Sequence, residues 1–304
     1  MAFRIRPDRS FTAEFRALSQ RQLDKAIRSL EEQPGGPHEA IHQARKKFKR
    51  VRALYRLIQP DARRFRQRED ERVRLMARTL STVRDATALI GTVDYLAAGA
   101  ASSEERSALI TASLALKERR DRIASKEIDL PKKISCAIRD CHKAIDALDE
   151  LNLDDDPRKT ARRLEKAWRK GLSRASADLV ACAEPVGAEA FHDLRKVGQT
   201  YWIHLCLLSD IWPSAMRAKR TDAKALVDVL GRVHDLSVLT QVVNEHPNLI
   251  SDSDTLAQLI GAIISHQQEL RQEAIDKARL VFADDPDREA ARIALLWQEA
   301  ASRR

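Results

Sequence analysis

The feature that most constrains how this chain can fold is an internal repeat with a constant offset of 150 residues. Residues 39–58 and 189–208 both begin with the pattern Glu-Ala-x-His-x-x-Arg-Lys. Residues 80–89 and 230–239 share the pattern Leu-x-x-Val-x-Asp-x-x-x-Leu at the same offset. Because separate matches in one register are hard to explain by chance, the sequence predicts a fold built from two copies of one unit.

The composition indicates that this unit is made of helices. Glycine accounts for only 9 of 304 residues and aromatic residues for 5%, which disfavours a β-sandwich or a β-barrel. Hydrophobic residues make up 43% of the chain, which excludes a disordered protein and is enough for a sizeable core. Apolar residues recur at helical spacing along most of the chain, as they do in residues 10–31.

The sequence predicts an all-α fold of two antiparallel, four-helix-like halves related by a pseudo-two-fold axis. Gly91 is a candidate interruption of a long third helix, and the acidic tract 154–156 either links the halves or caps the next helix. The first residues, which include Arg4 and Arg6, are expected to fray. The predicted helices span 10–31, 39–58, 63–96, 103–125, 130–148, 158–180, 188–211, 215–244, 252–282 and 286–302.

One predicted helix, 39–58, carries an uninterrupted stripe of cations. Successive steps of 3, 4, 3 and 4 residues place the members on one face. They are His42, Arg45, Lys49, Arg52 and Arg56, and Lys46 widens the charge. Residues 40–60 contain no Asp or Glu that could neutralise this stripe. A concentrated basic face indicates a polyanionic partner, and a solvated surface is the alternative.

The second copy keeps the start of this stripe as His192, Arg195 and Lys196. It has Gln199 and Trp202 where the first copy has Lys49 and Arg52, so its stripe is shorter.

Two other segments carry candidate anion donors. Arg84 and His234 occupy equivalent positions of the second repeated motif. Each precedes an Asp, and an Asp at such a position is more often part of a helix-packing ion pair than a ligand contact. Residues 158–174 form a basic helix whose cations could face the same partner or only solvent. These cations are Arg162, Lys166, Arg169 and Lys170.

One motif points to a different chemistry. Residues 38–42 read His-Glu-Ala-Ile-His, a pattern that binds zinc in some peptidases. The cations that follow would repel a divalent ion, and the second copy has Ala188 in place of His38. Phosphate-binding and nucleophile motifs rich in glycine are absent from the sequence. We therefore predict no enzyme activity, no bound metal and no cofactor.

The four cysteines have no CxxC spacing, and the sequence has neither a signal peptide nor an apolar run long enough to span a membrane. These features predict reduced thiols and a cytoplasmic protein.

The paired motifs resemble the CHAD domain, the conserved histidine α-helical domain. The resemblance extends over about residues 8–283 and implies a single domain of two repeats, about 8–150 and 157–283, followed by a helical extension over 284–304. It also implies a basic central groove or pore that binds inorganic polyphosphate. Nine residues match the family's motif positions: His42, Arg45, Lys46, Lys49, Arg52, Arg84, His192, Arg195 and Lys196. The chain departs from the pattern at Gln199, Trp202 and His234.

These observations predict a non-catalytic polyphosphate-binding module, located in the cytoplasm or on polyphosphate granules. The full set of candidate binding residues is His42, Arg45, Lys46, Lys49, Arg52, Arg56, Arg84, Arg162, Lys166, Arg169, His192, Arg195, Lys196 and His234. Nucleic acid is the alternative partner, because the same cations would hold a phosphodiester backbone. A metal-dependent phosphohydrolase, which would need clustered carboxylates, and a zinc peptidase are less favoured.

Overall fold

A computed structural model describes residues 3–80, 82–126, 128–184 and 188–303, with no account of the side chains of residues 82–85 and 188. The described residues form eleven α-helices and two short 3₁₀ helices, and none of them lies in a β-strand. This confirms the predicted all-α class. The helices are α1 (Phe11–Glu32), α2 (Gly36–Leu57), α3 (Arg63–Thr79), α4 (Thr82–Ala98), α5 (Ser103–Lys126), α6 (Leu130–Asp146), α7 (Pro157–Cys182), α8 (Ala188–Leu207), α9 (Pro213–Glu245), α10 (Ser253–Val281) and α11 (Pro286–Ser302).

Short polar side chains start several of these helices. Ser10 caps α1 by accepting a hydrogen bond from the Ala13 amide, and Asp285 caps α11 by accepting one from the Arg288 amide. Asp156 accepts hydrogen bonds from two amides at the start of α7, so the acidic tract supplies a helix cap.

The long third helix predicted for the first copy is two helices, since α3 ends at Thr79 and α4 begins at Thr82, and the prediction of a break at Gly91 is wrong. Gly91 lies inside α4, next to the buried side chains of Ile90 and Val93. Burial of these neighbours outweighs the low helix propensity of a single glycine. The corresponding stretch of the second copy is the continuous helix α9.

The helix bounds follow the sequence repeat. Arg63 and Pro213 begin α3 and α9, and Ser103 and Ser253 begin α5 and α10, each pair 150 residues apart. The pseudo-two-fold relation between the copies stays a prediction.

The two copies pack into one continuous hydrophobic core. Helices α1, α2, α3 and α6 pack together, and α11 packs along α7 as α6 packs along α1. Helices α4 and α5, however, pack against α9 and α10 of the second copy. The repeat alone does not predict this exchange of partners, which joins the copies through a shared helical layer.

Residues 3–10 are held in place, so the expectation that Arg4 and Arg6 fray is wrong. The Ile5 amide donates a 2.8 Å hydrogen bond to the Leu207 carbonyl, and the Ile5 side chain is fully buried. Arg4 pairs with Asp210 at 2.9 Å. Residues 3–10, named the N-terminal arm below, are therefore anchored to the end of α8.

Among the described helices, none combines the length and the apolar character needed to cross a lipid bilayer.

Candidate anion-binding site

Helix α2 separates its apolar and basic residues as its sequence predicts. Phe48, Val51 and Tyr55 are almost completely buried. The residues of the cation stripe are half-buried along the same helix, namely His42, Arg45, Lys49, Arg52 and Arg56. The buried face fixes α2 within the core, so the cations are held close to neighbouring helices instead of extending freely into solvent.

A cavity of about 490 Å³ opens beside the end of α2. Its wall is formed mainly by α2, α3, α7 and α8, and no acidic residue is among the described residues that line it. The lining cations are Arg56, Arg66, Lys166, Lys170, Arg174 and Lys196. Like charges focused in a concave surface create a strong local potential that attracts anions.

Arg56 is the most enclosed cation of the cavity. Burial, followed by repulsion from Arg52, Arg66 and Arg174, lowers the pKa of Arg56 to about 10. Its guanidinium donates a hydrogen bond to the Thr200 hydroxyl, which joins α2 to α8. Arg56 stays protonated at neutral pH, so the cavity holds a positive charge at a half-buried position.

The uncharged part of the wall is fixed by a buried carboxylate on α11. Glu289 is 2% exposed and accepts hydrogen bonds from the Trp168 indole at 2.9 Å and the Tyr201 hydroxyl at 2.8 Å. It also pairs with Lys219 at 3.0 Å. Trp168 and Tyr201 both line the cavity, so α11 positions part of the site through this carboxylate.

His204, which also lines the cavity, joins the two copies. Its Nε2 lies 2.9 Å from the Ala53 carbonyl, and since a carbonyl only accepts, Nε2 carries the proton. Burial lowers the pKa of His204 to about 4, so the ring is neutral at physiological pH.

Neighbouring carboxylates neutralise some of the cations. Asp193 pairs with Lys196 at 2.8 Å and with Arg174 at 2.9 Å. Asp70 accepts two hydrogen bonds from Arg52, at 2.8 and 3.3 Å. The absence of acidic residues between 40 and 60 therefore does not leave the stripe unneutralised, because Asp70 reaches it from α3.

Two histidines, with the cations Arg195, Lys49 and Lys196 near them, form a second candidate region next to the cavity. The rings of His192 and His234 are stacked, with centroids 4.8 Å apart. Burial, and then repulsion from nearby cations that include Arg195 and Lys49, lowers the pKa of His234 to about 4. The pKa of His192 is also lowered, mainly by burial. We call this region the histidine pair.

The histidine pair adjoins the cavity through Lys196. This lysine lines the cavity and is also one of the charges that lower the pKa of His234. The structure thus brings together residues of both sequence copies, since Lys49 belongs to the first copy and His192 and His234 belong to the second.

Other candidates lie away from the cavity wall. Arg45 donates a hydrogen bond to the Ala77 carbonyl, and Arg52 is held by Asp70. Arg169 pairs with Glu165 at 2.6 Å and with Asp287 at 2.5 Å, so it connects α7 to α11. These three arginines have structural partners, and none of them lines the cavity.

The remaining candidates are placed by their helices alone. Lys46 and Arg162 are exposed, and His42 is half-buried on α2. The side chain of Arg84 lies outside the described part of the structure.

Sequence reasoning missed two lining residues, Arg66 and Arg174. Arg174 had a detectable signal, since Arg162, Lys166 and Lys170 precede it at intervals of four residues on α7. Arg66 lies on α3 and reaches the cavity only through tertiary packing, for which the sequence contains no comparable pattern.

The His-Glu-x-x-His segment lies at the start of α2. The Glu39 carboxylate accepts a hydrogen bond from Gln43 at 2.5 Å. Within the described residues, no group of three or more His, Cys, Asp or Glu side chains is close enough together to hold a metal ion.

The chain is thus an all-helical protein with a cation-lined cavity between its two sequence copies. The chain belongs to the CHAD domain family, whose family model matches residues 17–244. The match is shorter than the predicted domain of residues 8–283, whose bounds stay a prediction.

The fold is similar to that of a solved CHAD domain from the plant Ricinus communis. The two chains superpose with a TM-score of 0.66 over 94% of this chain and 96% of the plant chain, at 18% sequence identity. At that identity the similarity concerns the fold. No curated protein sequence is similar enough to count as a relative.

Proposed function

We propose that this protein binds inorganic polyphosphate, with the cavity and the histidine pair as its binding surface. The observation that carries the proposal is the set of six cations that line one cavity without a carboxylate among the described lining residues. Membership of the CHAD family, which is linked to polyphosphate, supports the choice of ligand.

The chemistry of the lining suits a linear chain of phosphates. Lys166, Lys170 and Arg174 follow one another at intervals of four residues, so they present a cation at each turn of α7. Arg56 and Lys196 contribute charge from α2 and α8. Cations arranged along a path can neutralise successive phosphates, and guanidinium groups add paired hydrogen bonds to phosphate oxygens.

Binding is proposed to occur without turnover. Hydrolysis of a phosphoanhydride is commonly assisted by a divalent metal held by carboxylates near the scissile bond. The carboxylates of Asp193, Asp70 and Asp178 lie next to the site, and each is engaged in an ion pair with a cation. We expect no orthophosphate release from polyphosphate in the presence of Mg²⁺ or Mn²⁺, and release above the buffer blank would contradict this part of the proposal.

A competition experiment tests the ligand. Long-chain polyphosphate labelled at one end is bound to the full-length protein, and unlabelled polyphosphate, single-stranded DNA or duplex DNA is added at matched phosphate concentration. We expect unlabelled polyphosphate to displace the probe far more effectively than either DNA. Equal displacement by DNA would favour the nucleic-acid alternative and contradict the proposal.

Polyphosphate binding would also attach the protein to polyphosphate granules. Co-sedimentation of the purified protein with isolated granules, lost after enzymatic removal of the polymer, is the expected result.

A further inference from the structure

A second cleft, of about 320 Å³, lies between the N-terminal arm, α2, α8 and α9. It shares no lining residue with the cavity described above. Two aromatic side chains, Phe3 and Trp202, and three arginines, Arg4, Arg50 and Arg220, contribute to its wall. We call it the aromatic cleft.

The repeat explains why this cleft differs from the corresponding part of the first copy. At an offset of 150 residues, Trp202 replaces Arg52 and Arg220 replaces Asp70. The first copy therefore has an internal ion pair at these positions. The second copy has an indole and an unmatched guanidinium there, which gives the cleft an aromatic surface and a positive charge.

Two of the three arginines have no carboxylate partner among the described residues. The Arg50 guanidinium lies 5.1 Å from the centre of the Phe3 ring and 3.5 Å from the Gln22 side-chain oxygen. Arg220 lies close enough to Cys206 to affect the pKa of its thiol. Both arginines are half-buried, whereas Arg4 is paired with Asp210. Half-buried guanidinium groups without a counter-ion favour an anionic ligand.

We propose that the aromatic cleft binds a nucleotide. The base would stack on Trp202, and the phosphates would pair with Arg50 and Arg220. Indole rings stack on any of the nucleobases, and guanidinium groups form paired hydrogen bonds with phosphate. The cleft volume lies within the range of small-molecule sites. This inference does not depend on polyphosphate binding, because the two sites are lined by different residues.

The test is isothermal titration of the full-length protein with ADP and with inorganic diphosphate. We expect ADP to bind more tightly, because diphosphate lacks the base. Trp202→Ala should weaken ADP binding by about tenfold and leave diphosphate binding nearly unchanged. Arg220→Asp, which restores the residue type of the first copy, should abolish binding of both ligands.

Matched controls use exposed residues of the same types outside the cleft, Trp212→Ala and Arg217→Asp. These variants should bind ADP as the wild type does. If Trp202→Ala or Arg220→Asp fails to fold, as judged by circular dichroism, Trp202→Phe and Arg220→Gln replace them, with smaller losses in the same direction.

Equal affinity for ADP and diphosphate would overturn the proposal, since the base would not be recognised. Unchanged ADP binding in folded Arg220 variants would overturn it as well. A Lys166→Glu, Lys170→Glu variant separates the two sites. This double variant should retain ADP binding. If it instead loses ADP binding while Arg220→Asp keeps it, the nucleotide binds in the cavity and the assignment is contradicted.

Discussion

Asp193 holds two cations of the cavity at once. Its carboxylate lies 2.8 Å from Lys196 and 2.9 Å from Arg174, and both cations line the cavity. A bound polyanion would compete with this carboxylate for the same two groups. Because exposed ion pairs contribute little to stability, the loss of Asp193 should affect ligand binding more than folding.

Asp193→Asn should therefore raise the affinity for polyphosphate by several-fold, because it removes a competing negative charge next to Lys196 and Arg174. Titration calorimetry with polyphosphate of one defined length measures the change. Asp228→Asn is the control, because Asp228 pairs with Lys224 on an exposed part of α9. Unchanged or weaker binding by Asp193→Asn would show that these cations do not contact the ligand.

The histidine pair makes stability and binding depend on pH. The pKa of His234 is about 4 in the folded protein, below its ordinary value of 6.5. Between these values the unfolded chain binds more protons, so the stability contributed by neutral His234 is present above about pH 6.5 and is lost as pH falls towards 4. A polyanion next to the ring would raise this pKa, so binding should take up protons.

Polyphosphate affinity should consequently rise more between about pH 7.5 and about pH 5 in the wild type than in His234→Gln. The comparison of the two proteins removes the titration of the ligand itself, which is common to both. An identical pH dependence would mean that His234 is not near the bound polymer.

At the scale of helices, local sequence patterns predict the bounds of a helix and the residues that share one of its faces. The apolar spacing and polar caps define most helix bounds, and the steps of 3 and 4 residues place the half-buried Arg45 and Lys49 on a different side of α2 from the buried Val51. They do not predict that Arg66 and Asp70 approach from α3, because that contact depends on how helices dock. The sequence therefore predicts that Arg52 is available for a ligand, whereas in the structure Asp70 pairs with it.

Helix α11 illustrates how an element outside the family match affects the site. Glu289→Ala should destabilise the protein by about 1–3 kcal/mol, because buried donors on Trp168 and Tyr201 would lose their acceptor. Urea denaturation measures the change. Glu299→Ala, at an exposed position of the same helix, should have little effect. Equal stability of the Glu289 and Glu299 variants would contradict the role assigned to the buried carboxylate.

At the scale of the whole molecule, the distribution of charge matters more than its sum. The net charge of +9 arises from 54 basic and 45 acidic residues, so most cations have an acidic counterpart somewhere in the chain. The described lining of the cavity holds six cations and no carboxylate, although Asp193 pairs with two of these cations from outside the wall. Binding that depends on this local excess should weaken steeply as salt concentration rises.

The most direct test compares two double charge reversals that change the net charge equally. Lys166→Glu with Lys170→Glu alters the cavity, whereas Lys117→Glu with Lys132→Glu alters exposed positions on α5 and α6. Polyphosphate affinity is measured for both variants at two salt concentrations. We predict that the cavity variant loses affinity by more than about tenfold and has a weaker salt dependence, while the control stays close to the wild type. Equal losses in the two variants would show that overall charge, and not the cavity, determines binding.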